Sequence, residues 1–409
     1  MNKRKIFNDP VYGFVSIPSE IIFDLIEHPY FQRLRRIQQL GLTSYVYPGA
    51  LHTRFHHALG ALHLMGQALD TLRSKGHELT DQEIEAANIA ILLHDIGHGP
   101  YSHSLERSII NGTSHEAISL TLMQKLNEQF DGKLSTAIDI FRDKYPKRFL
   151  HQLVSGQLDM DRMDYLNRDS FFTGVYEGVI GYDRIIKMLE VYNDQLVVEA
   201  KGIYSIEKFI IARRLMYWQV YLHKTVLSAE QMLLKALQRA QELAREGLEI
   251  FGTPALKYFL YNNVKKTEFE QRSEVLEEFI KLDDYDIFSA IKVWANHSDK
   301  VLSLLCKMLV NRRLLKVKLT NEPVSDEELH SIRKKVKLRY MLDDHQLSYL
   351  VFTDSTSNFA YTRHSENILI LYKDGRVRDI ADASDQLNIS VLSEPVVKYY
   401  LCYPKDLAF

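Results

Sequence analysis

Residues 88–103 constrain this chain more than any other stretch. They read Asn-Ile-Ala-Ile-Leu-Leu-His-Asp-Ile-Gly-His-Gly-Pro-Tyr-Ser-His. The nearly continuous apolar run from Ile89 to Leu93 predicts a buried helix, and Gly97, Gly99 and Pro100 stop it. His94 and Asp95 therefore stand side by side at the polar end of an apolar element. A buried charge is costly unless it is paired or coordinates a metal. Imidazole plus carboxylate suits a transition metal, or Mg or Mn. An isolated His-Asp pair is more simply an ordinary hydrogen-bonded couple. The nearby histidines His98, His103 and His115 shift the balance toward a metal.

The 409 residues leave room for two or three domains. A formal net charge of -2 gives no global basic excess, so indiscriminate nucleic-acid binding is not indicated, although a local basic pocket is compatible with it. Two cysteines, Cys306 and Cys402, are too few for a disulfide framework and fit a reducing, cytoplasmic setting. The basic start, Met-Asn-Lys-Arg-Lys, is not followed by an apolar signal core. No uncharged apolar run approaches the roughly 18 residues of a membrane span, so no membrane partner is expected.

Residues 5–18 alternate around Asp9-Pro10 and Gly13 and predict a short hairpin. Pro18-Ser19-Glu20 opens a helix, and Pro29 starts another over His28–Leu40, whose Gln32, Arg33, Arg35 and Arg36 read as a solvated basic face. An amphipathic helix is expected at 54–75, and Asp81 is expected to cap the helix running into His94-Asp95. Ser114 begins another. Leu150–Asp169 reads as one helix carrying Asp159, Asp161, Asp164 and Asp169, acids that fall on more than one face. Residues 192–200 suggest a hairpin with Asn193-Asp194 at its turn, and 205–246 one or two long helices. From about 312 the texture changes to strand-like runs, including Ile368–Tyr372 leading into a Lys-Asp-Gly turn. The reading is mainly α, with an all-α core over 1–311 and a small α+β C-terminal region over 312–409.

A metal site gathers ligands from several elements. His57 near the start of one helix, His94-Asp95 at the end of a second and Asp161 on a third form such a set, with coordination positions left for water and a phosphate oxygen. The order His57…His94-Asp95…Asp161 resembles the HD-domain phosphohydrolase superfamily. The surrounding residues resemble its deoxynucleoside triphosphate triphosphohydrolase (dNTPase) branch. They are Asp9-Pro-Val-Tyr-Gly, Phe31-Gln-Arg-Leu-Arg, Gln39-Leu-Gly, Tyr47-Pro-Gly-Ala, Arg54-Phe-His-His, His94 through His103, His115-Glu, and Asp161-Arg-Met-Asp-Tyr through Arg168-Asp169. The resemblance covers roughly residues 5–225, with the HD motifs at about 50–170.

The resemblance implies that His57, His94, Asp95 and Asp161 hold a divalent metal, whose identity (Mn, Fe, Mg, Zn or Ni) does not follow. It implies phosphate-gripping roles for Arg54, Arg162 and Arg213, with Arg162 standing where the family usually has Lys. His103 with Glu106 matches the family's acid, and His98 and His115 its phosphate-contacting or proton-relay histidines. Gln39 and Leu40 match residues near the sugar; Leu40 offers no partner for a 2′-hydroxyl. Tyr165 and Asp169 match sugar-edge contacts, and Tyr221 a packing aromatic; Tyr217 replaces a family His. Lys5, Asn8, Gln32 and Arg35 resemble an activator-nucleotide site between subunits, which implies a homo-oligomer, dimer or tetramer. The expected activity is cleavage of a dNTP to deoxynucleoside and triphosphate. The alternatives are an HD phosphohydrolase acting on GTP or GDP, a nucleoside monophosphate or a cyclic nucleotide, or a nucleotide-sensing or nucleic-acid-binding subunit with little turnover.

Overall fold

The computed structural model describes residues 5–101, 112–358, 361, 367–385 and 395–406. Helices dominate, as expected, with small sheets. The chain opens on a hairpin, β1 (Ile6–Asp9) and β2 (Gly13–Ser16), paired antiparallel with Asp9 opposite Gly13. Asp9 caps the turn by accepting from the N–H groups of Val11 and Tyr12. Helix α1 (Glu20–Glu27) buries Ile22, Phe23, Leu25 and Ile26.

The helix expected over 28–40 is much shorter. Pro29–Gln32 is α-helical and Arg33–Arg36 continues as a 3₁₀ turn. Ile37 is then extended, and Gln38 bridges Thr53 antiparallel. The basic face is not solvated as a whole. Arg33 is 1% exposed, and its two guanidinium nitrogens donate to the carbonyls of Ile96 and His98 at 2.9 and 2.6 Å. A tertiary partner for Arg33 outweighs the local helical tendency.

Helix α2 (Arg54–Ser74) is buried around most of its circumference and packs against α3 (Asp81–Leu93) and α5 (Met160–Thr173). The cap of α3 is Thr80 rather than Asp81: its hydroxyl accepts from Glu83 N–H while the Glu83 carboxylate accepts from Thr80 N–H. Ser114 caps α4 (His115–Gln129) by accepting from Ala117 N–H. The single helix expected over 150–169 is two, Arg148–Val154 and α5, because Asp159 accepts from the N–H groups of Gly156 and Arg162 and starts a new helix.

The hairpin β3 (Leu189–Tyr192) and β4 (Gln195–Glu199) turns at Asn193-Asp194, both at positive φ (50° and 60°), a turn these residues tolerate. Helices α6 (Ile203–Met216) and α7 (Lys224–Arg245) are separated by a π-helical turn at Tyr217–Tyr221. Helical segments, including α8 (Asp284–Trp294), continue to Val310. In the C-terminal region β5 (Lys316–Thr320), β6 (Phe352–Asn358) and β9 (Val396–Tyr403) form an antiparallel sheet ordered β5-β9-β6. The hairpin β7 (Leu369–Leu371) and β8 (Val377–Asp379) joins β3 and β4 through a parallel β4–β7 pairing, so core and C-terminal region share a sheet.

Helix α2 approaches α5 at Gly60. A Cβ there would fall 2.0 Å from Asp164 Oδ1 and 2.1 Å from an Arg168 guanidinium nitrogen. Glycine inside a helix costs about 1 kcal/mol relative to alanine, so it marks a required close approach. Gly60→Ala should therefore destabilise the protein by about 2 kcal/mol or more despite its better helix propensity. Urea denaturation measures this, and an unchanged midpoint would contradict it.

Candidate metal centre and active-site cavity

Three helices bring His57, His94, Asp95 and Asp161 together. His57 lies in the first turn of α2, 0% exposed. Its Nδ1 donates to Asp164 Oδ2 at 2.7 Å, so in the neutral ring that a metal requires Nε2 carries the lone pair. His94 closes α3 and its Nδ1 donates to the carbonyl of Ile91 at 2.6 Å, again freeing Nε2. Neither Nε2 has a hydrogen-bond partner among the described residues. Both face Asp161 Oδ1, at 3.1 Å from His57 and 3.5 Å from His94. The ligand atoms of His57, His94 and Asp161 lie within 4.8 Å of one another. Asp95 completes the set, with Oδ1 3.4 Å from His94 Nε2 and Oδ2 3.8 Å from His57 Nε2.

Two buried imidazoles with unpartnered Nε2 atoms converging on carboxylates fit a divalent transition metal. The electrostatics agree. Burial alone would lower the pKa of His57, but Asp161 and Asp164 outweigh it and push it up to about 10. Burial would raise Asp95, but His94, His98 and Arg54 hold it well below the usual carboxylate range. Asp161 is lowered too: its burial is overcome by His57 and His94. The pocket is built to stabilise positive charge.

The support for His57 was not assigned from sequence. Asp164 is gripped by Arg168 through Nε and Nη2, both at 2.9 Å, and Arg168 Nη1 donates to Asp9 Oδ2 at 2.8 Å. Its sequence signal was available: Asp164 and Arg168 are four apart on one helix face, three residues beyond Asp161.

His98 Nε2 lies 3.2 Å from Asp95 Oδ1, and its ring stacks on His115 with centroids 3.8 Å apart. Asp95, His98 and His115 form a second cluster able to hold a cation. His103 and Glu106 lie outside the described residues. Arg54 Nη1 donates to Asp95 Oδ2 at 2.6 Å.

Arg54 also lines a cavity of about 550 Å³, within the roughly 300–1,000 Å³ range of small-molecule sites. Gln39, Leu40, Arg162, Tyr165, Asp169, Tyr217 and Tyr221 line it as well. Arg213 is not among the lining residues, though its charge acts on Tyr165. Asp169 is held on both oxygens: it accepts from Tyr221 OH at 2.7 Å and from His52 Nε2 at 2.8 Å. His52, buried and stacked on Phe172, was missed in sequence. So was the wall formed by Glu230, Gln231, Ser355–Ser357 and Tyr400.

The expected activator residues meet only in part. Arg35 Nε donates to Gln32 Oε1 at 2.9 Å, and its guanidinium lies 3.6 Å over the Phe55 ring. Lys5 packs over Phe23, and Asn8 is exposed on β1 opposite Phe14.

A family model for the HD domain matches residues 54–169, and one for an HD associated region matches residues 180–250. The chain is 34% identical to the uncharacterized protein YwfO of Bacillus subtilis, across 100% of this chain and 94% of that one. It is 32% identical to the deoxynucleoside triphosphate triphosphohydrolase SAMHD1 homolog of Dictyostelium discoideum, over 59% of this chain and 50% of that one. A solved phosphohydrolase structure from Bacteroides thetaiotaomicron superposes with a TM-score of 0.95 at 56% identity, covering 98% of this chain and 100% of that one. The fold and site thus define a metal-dependent hydrolase class. The chain belongs to the HD-domain phosphohydrolase superfamily and resembles its dNTPase branch. Among the described residues no helix is long and apolar enough to cross a membrane.

Removing the carboxylate that orients His57 should weaken metal binding without removing a ligand. Asp164→Asn is expected to lower metal affinity about 10- to 100-fold. Titration of the chelator-stripped variant with Mn²⁺, followed by elemental analysis, measures it. Wild-type affinity in Asp164→Asn would remove Asp164 from any role at the metal.

Proposed function

We propose that the chain is a metal-dependent phosphohydrolase converting dNTPs to deoxynucleoside and triphosphate. The observation that carries this reading is Arg54, bonded to Asp95 on one side and lining the 550 Å³ cavity on the other. It joins a place for a metal to a place for a nucleoside.

In this reading His57, His94, Asp95 and Asp161 hold the metal, one of Mn, Fe, Mg, Zn or Ni. When bound, such an ion supplies Lewis-acid charge and an activated water at neutral pH. The chain's own residues do the rest. Arg54, Arg162 and Arg213 concentrate cationic charge for the triphosphate. Arg54 retains an Nε with no partner among the described residues. The stacked pair His98 and His115 contacts phosphate oxygens or relays protons beside Asp95, and His103 with Glu106, which match the family's acid, supplies the proton to the leaving oxygen. Tyr165, Tyr217 and Tyr221 pack the nucleoside, while Asp169, fixed by His52 and Tyr221, and Gln39 meet the sugar. Leu40 closes the sugar edge. The protein is proposed to act in the cytoplasm as a homo-oligomer, dimer or tetramer, with an activating nucleotide at Lys5, Asn8, Gln32 and Arg35.

Incubating the purified protein with each dNTP and NTP, across these metals, tests the activity. Triphosphate and deoxynucleoside are the expected products; stepwise release of orthophosphate would overturn the reading. Sedimentation at micromolar concentration, with and without dGTP, tests assembly, and a fully active strict monomer would contradict it.

Sugar selection gives a sharper expectation. A ribose 2′-hydroxyl buried against Leu40 without a partner loses about 1–3 kcal/mol. That is roughly a five- to 150-fold preference for dNTP in catalytic efficiency. Leu40→Ala should narrow the gap, by admitting water, while metal content stays constant. Equal wild-type efficiencies on dGTP and GTP would refute the argument.

A further inference from the structure

Asp284 lies outside both matched family regions, at the start of α8, and is 6% exposed. Its two oxygens accept from backbone N–H groups of two distant segments, Gln38 at 2.8 Å and Tyr101 at 3.1 Å. Both residues line the cavity. Gln38 bridges Thr53 and leads into the turn residues Gln39 and Leu40; Gln39 N–H donates to the carbonyl of His52 and Arg54 N–H to that of Ile37. Tyr101 follows the Gly-Pro turn that leaves His98, and it sits at φ 46°. A left-handed conformation is costly for a bulky residue and persists only where the surroundings impose it. The preceding residue of α8 reinforces the anchor: Asp283 Oδ2 accepts from Arg36 Nε at 2.5 Å. Arg33, in the same 3₁₀ turn as Arg36, grips the carbonyls of Ile96 and His98.

We propose that Asp284 is the positioning residue of the active-site cavity: one buried carboxylate fixes, by their backbone N–H groups, the two segments that flank the metal-holding set. This rests on the reading of the cavity as the nucleotide site. Only a carboxylate accepts on both oxygens at once. An asparagine accepts on one and turns N–H against N–H on the other. Asp284 hydrogen-bonds to none of the metal-ligand candidates, although its charge also acts on Arg54, so its removal acts chiefly through Gln38–Leu40 and Tyr101 and leaves the metal in place.

The test uses the full chain as wild type, Asp284→Asn and Asp284→Ala. Hydrogen–deuterium exchange reads the amides of Gln38 and Tyr101 directly, with no need for turnover. Both should exchange faster in Asp284→Ala, and at least one in Asp284→Asn. Kinetics on dGTP should show KM raised about 10- to 100-fold, a range set by the cost of small misplacements in a site. The kcat should change less, metal content should stay at the wild-type level, and Asp284→Asn should be milder than Asp284→Ala. Adding Leu40→Ala to Asp284→Asn should give less than the sum of the two effects, because both act on the same segment. Unchanged exchange at both amides overturns the proposal. So does raised exchange with wild-type KM, or full additivity with Leu40→Ala. If Asp284→Ala does not fold, Asp284→Asn carries the same outcomes. A wild-type protein inactive on every nucleotide overturns the proposed function instead, with Asp284 then judged as an anchor by exchange alone.

Discussion

The buried chain of charges His57–Asp164–Arg168–Asp9 is the interaction on which the rest of the structure depends. It links the N-terminal hairpin to α5 and α5 to α2 through hydrogen bonds of 2.7–2.9 Å. Each member is nearly or fully buried. Breaking one pair of such a network strands the remaining charges and costs about 3–5 kcal/mol. Gly60 is the steric condition for it, and the turn at Asp9, capped by its own carboxylate, sets the far end. The network has a chemical result as well. By accepting from His57 Nδ1–H it turns Nε2 toward Asp161, so fold stability and the orientation of a candidate ligand rest on the same bonds.

The turn after His94-Asp95 is fixed from two further directions. Ser119 Oγ donates to the carbonyl of His94 and accepts from Gly97 N–H, at 2.7 and 2.9 Å. A Cβ at Gly97 would fall 2.2 Å from the carbonyl of His115, so glycine is what lets the turn lie on α4. That approach is also what stacks His98 on His115. From the other side Arg33 satisfies the carbonyls of Ile96 and His98. The end of a buried helix, which would otherwise leave orphan carbonyls, becomes a rigid platform.

The sequence revealed elements whose causes are local. The apolar run ending in His94-Asp95, the capping serine at 114 and the Asn193-Asp194 turn all carry their signals within a few residues. The His57, His94, Asp95 and Asp161 set was legible because its order resembles a known family, and the structure brings these residues together. What was illegible has distant causes. The helix expected to reach Leu40 stops because Arg33 and Gln38 have partners some sixty and two hundred and fifty residues away, as the spacings of their hydrogen bonds record. His52 carries no local signal, because Asp169 and Phe172, which it bonds and stacks on, lie more than a hundred residues away. No periodicity in 312–409 foretells that β6 and β9 would line the same cavity as Tyr165.

That last contact brings the C-terminal region to the cavity. The candidate metal ligands and Arg54 all fall within the matched HD domain, residues 54–169. The wall bearing Glu230, Gln231, Ser355–Ser357 and Tyr400 comes from α7 and the C-terminal sheet, which meet at β5 through the bond from Ser228 Oγ to the carbonyl of Leu315 just before it. Its Gln231 and Tyr400 are buried, whereas Ser355 and Ser357 are exposed, so this side of the cavity is polar and partly open to solvent. Substitution along this wall would change the shape of the cavity without altering the candidate metal ligands. The cavity is thus shared between the matched HD region, which supplies Arg54, Arg162, Tyr165 and Asp169, and segments outside it that no HD motif would point to.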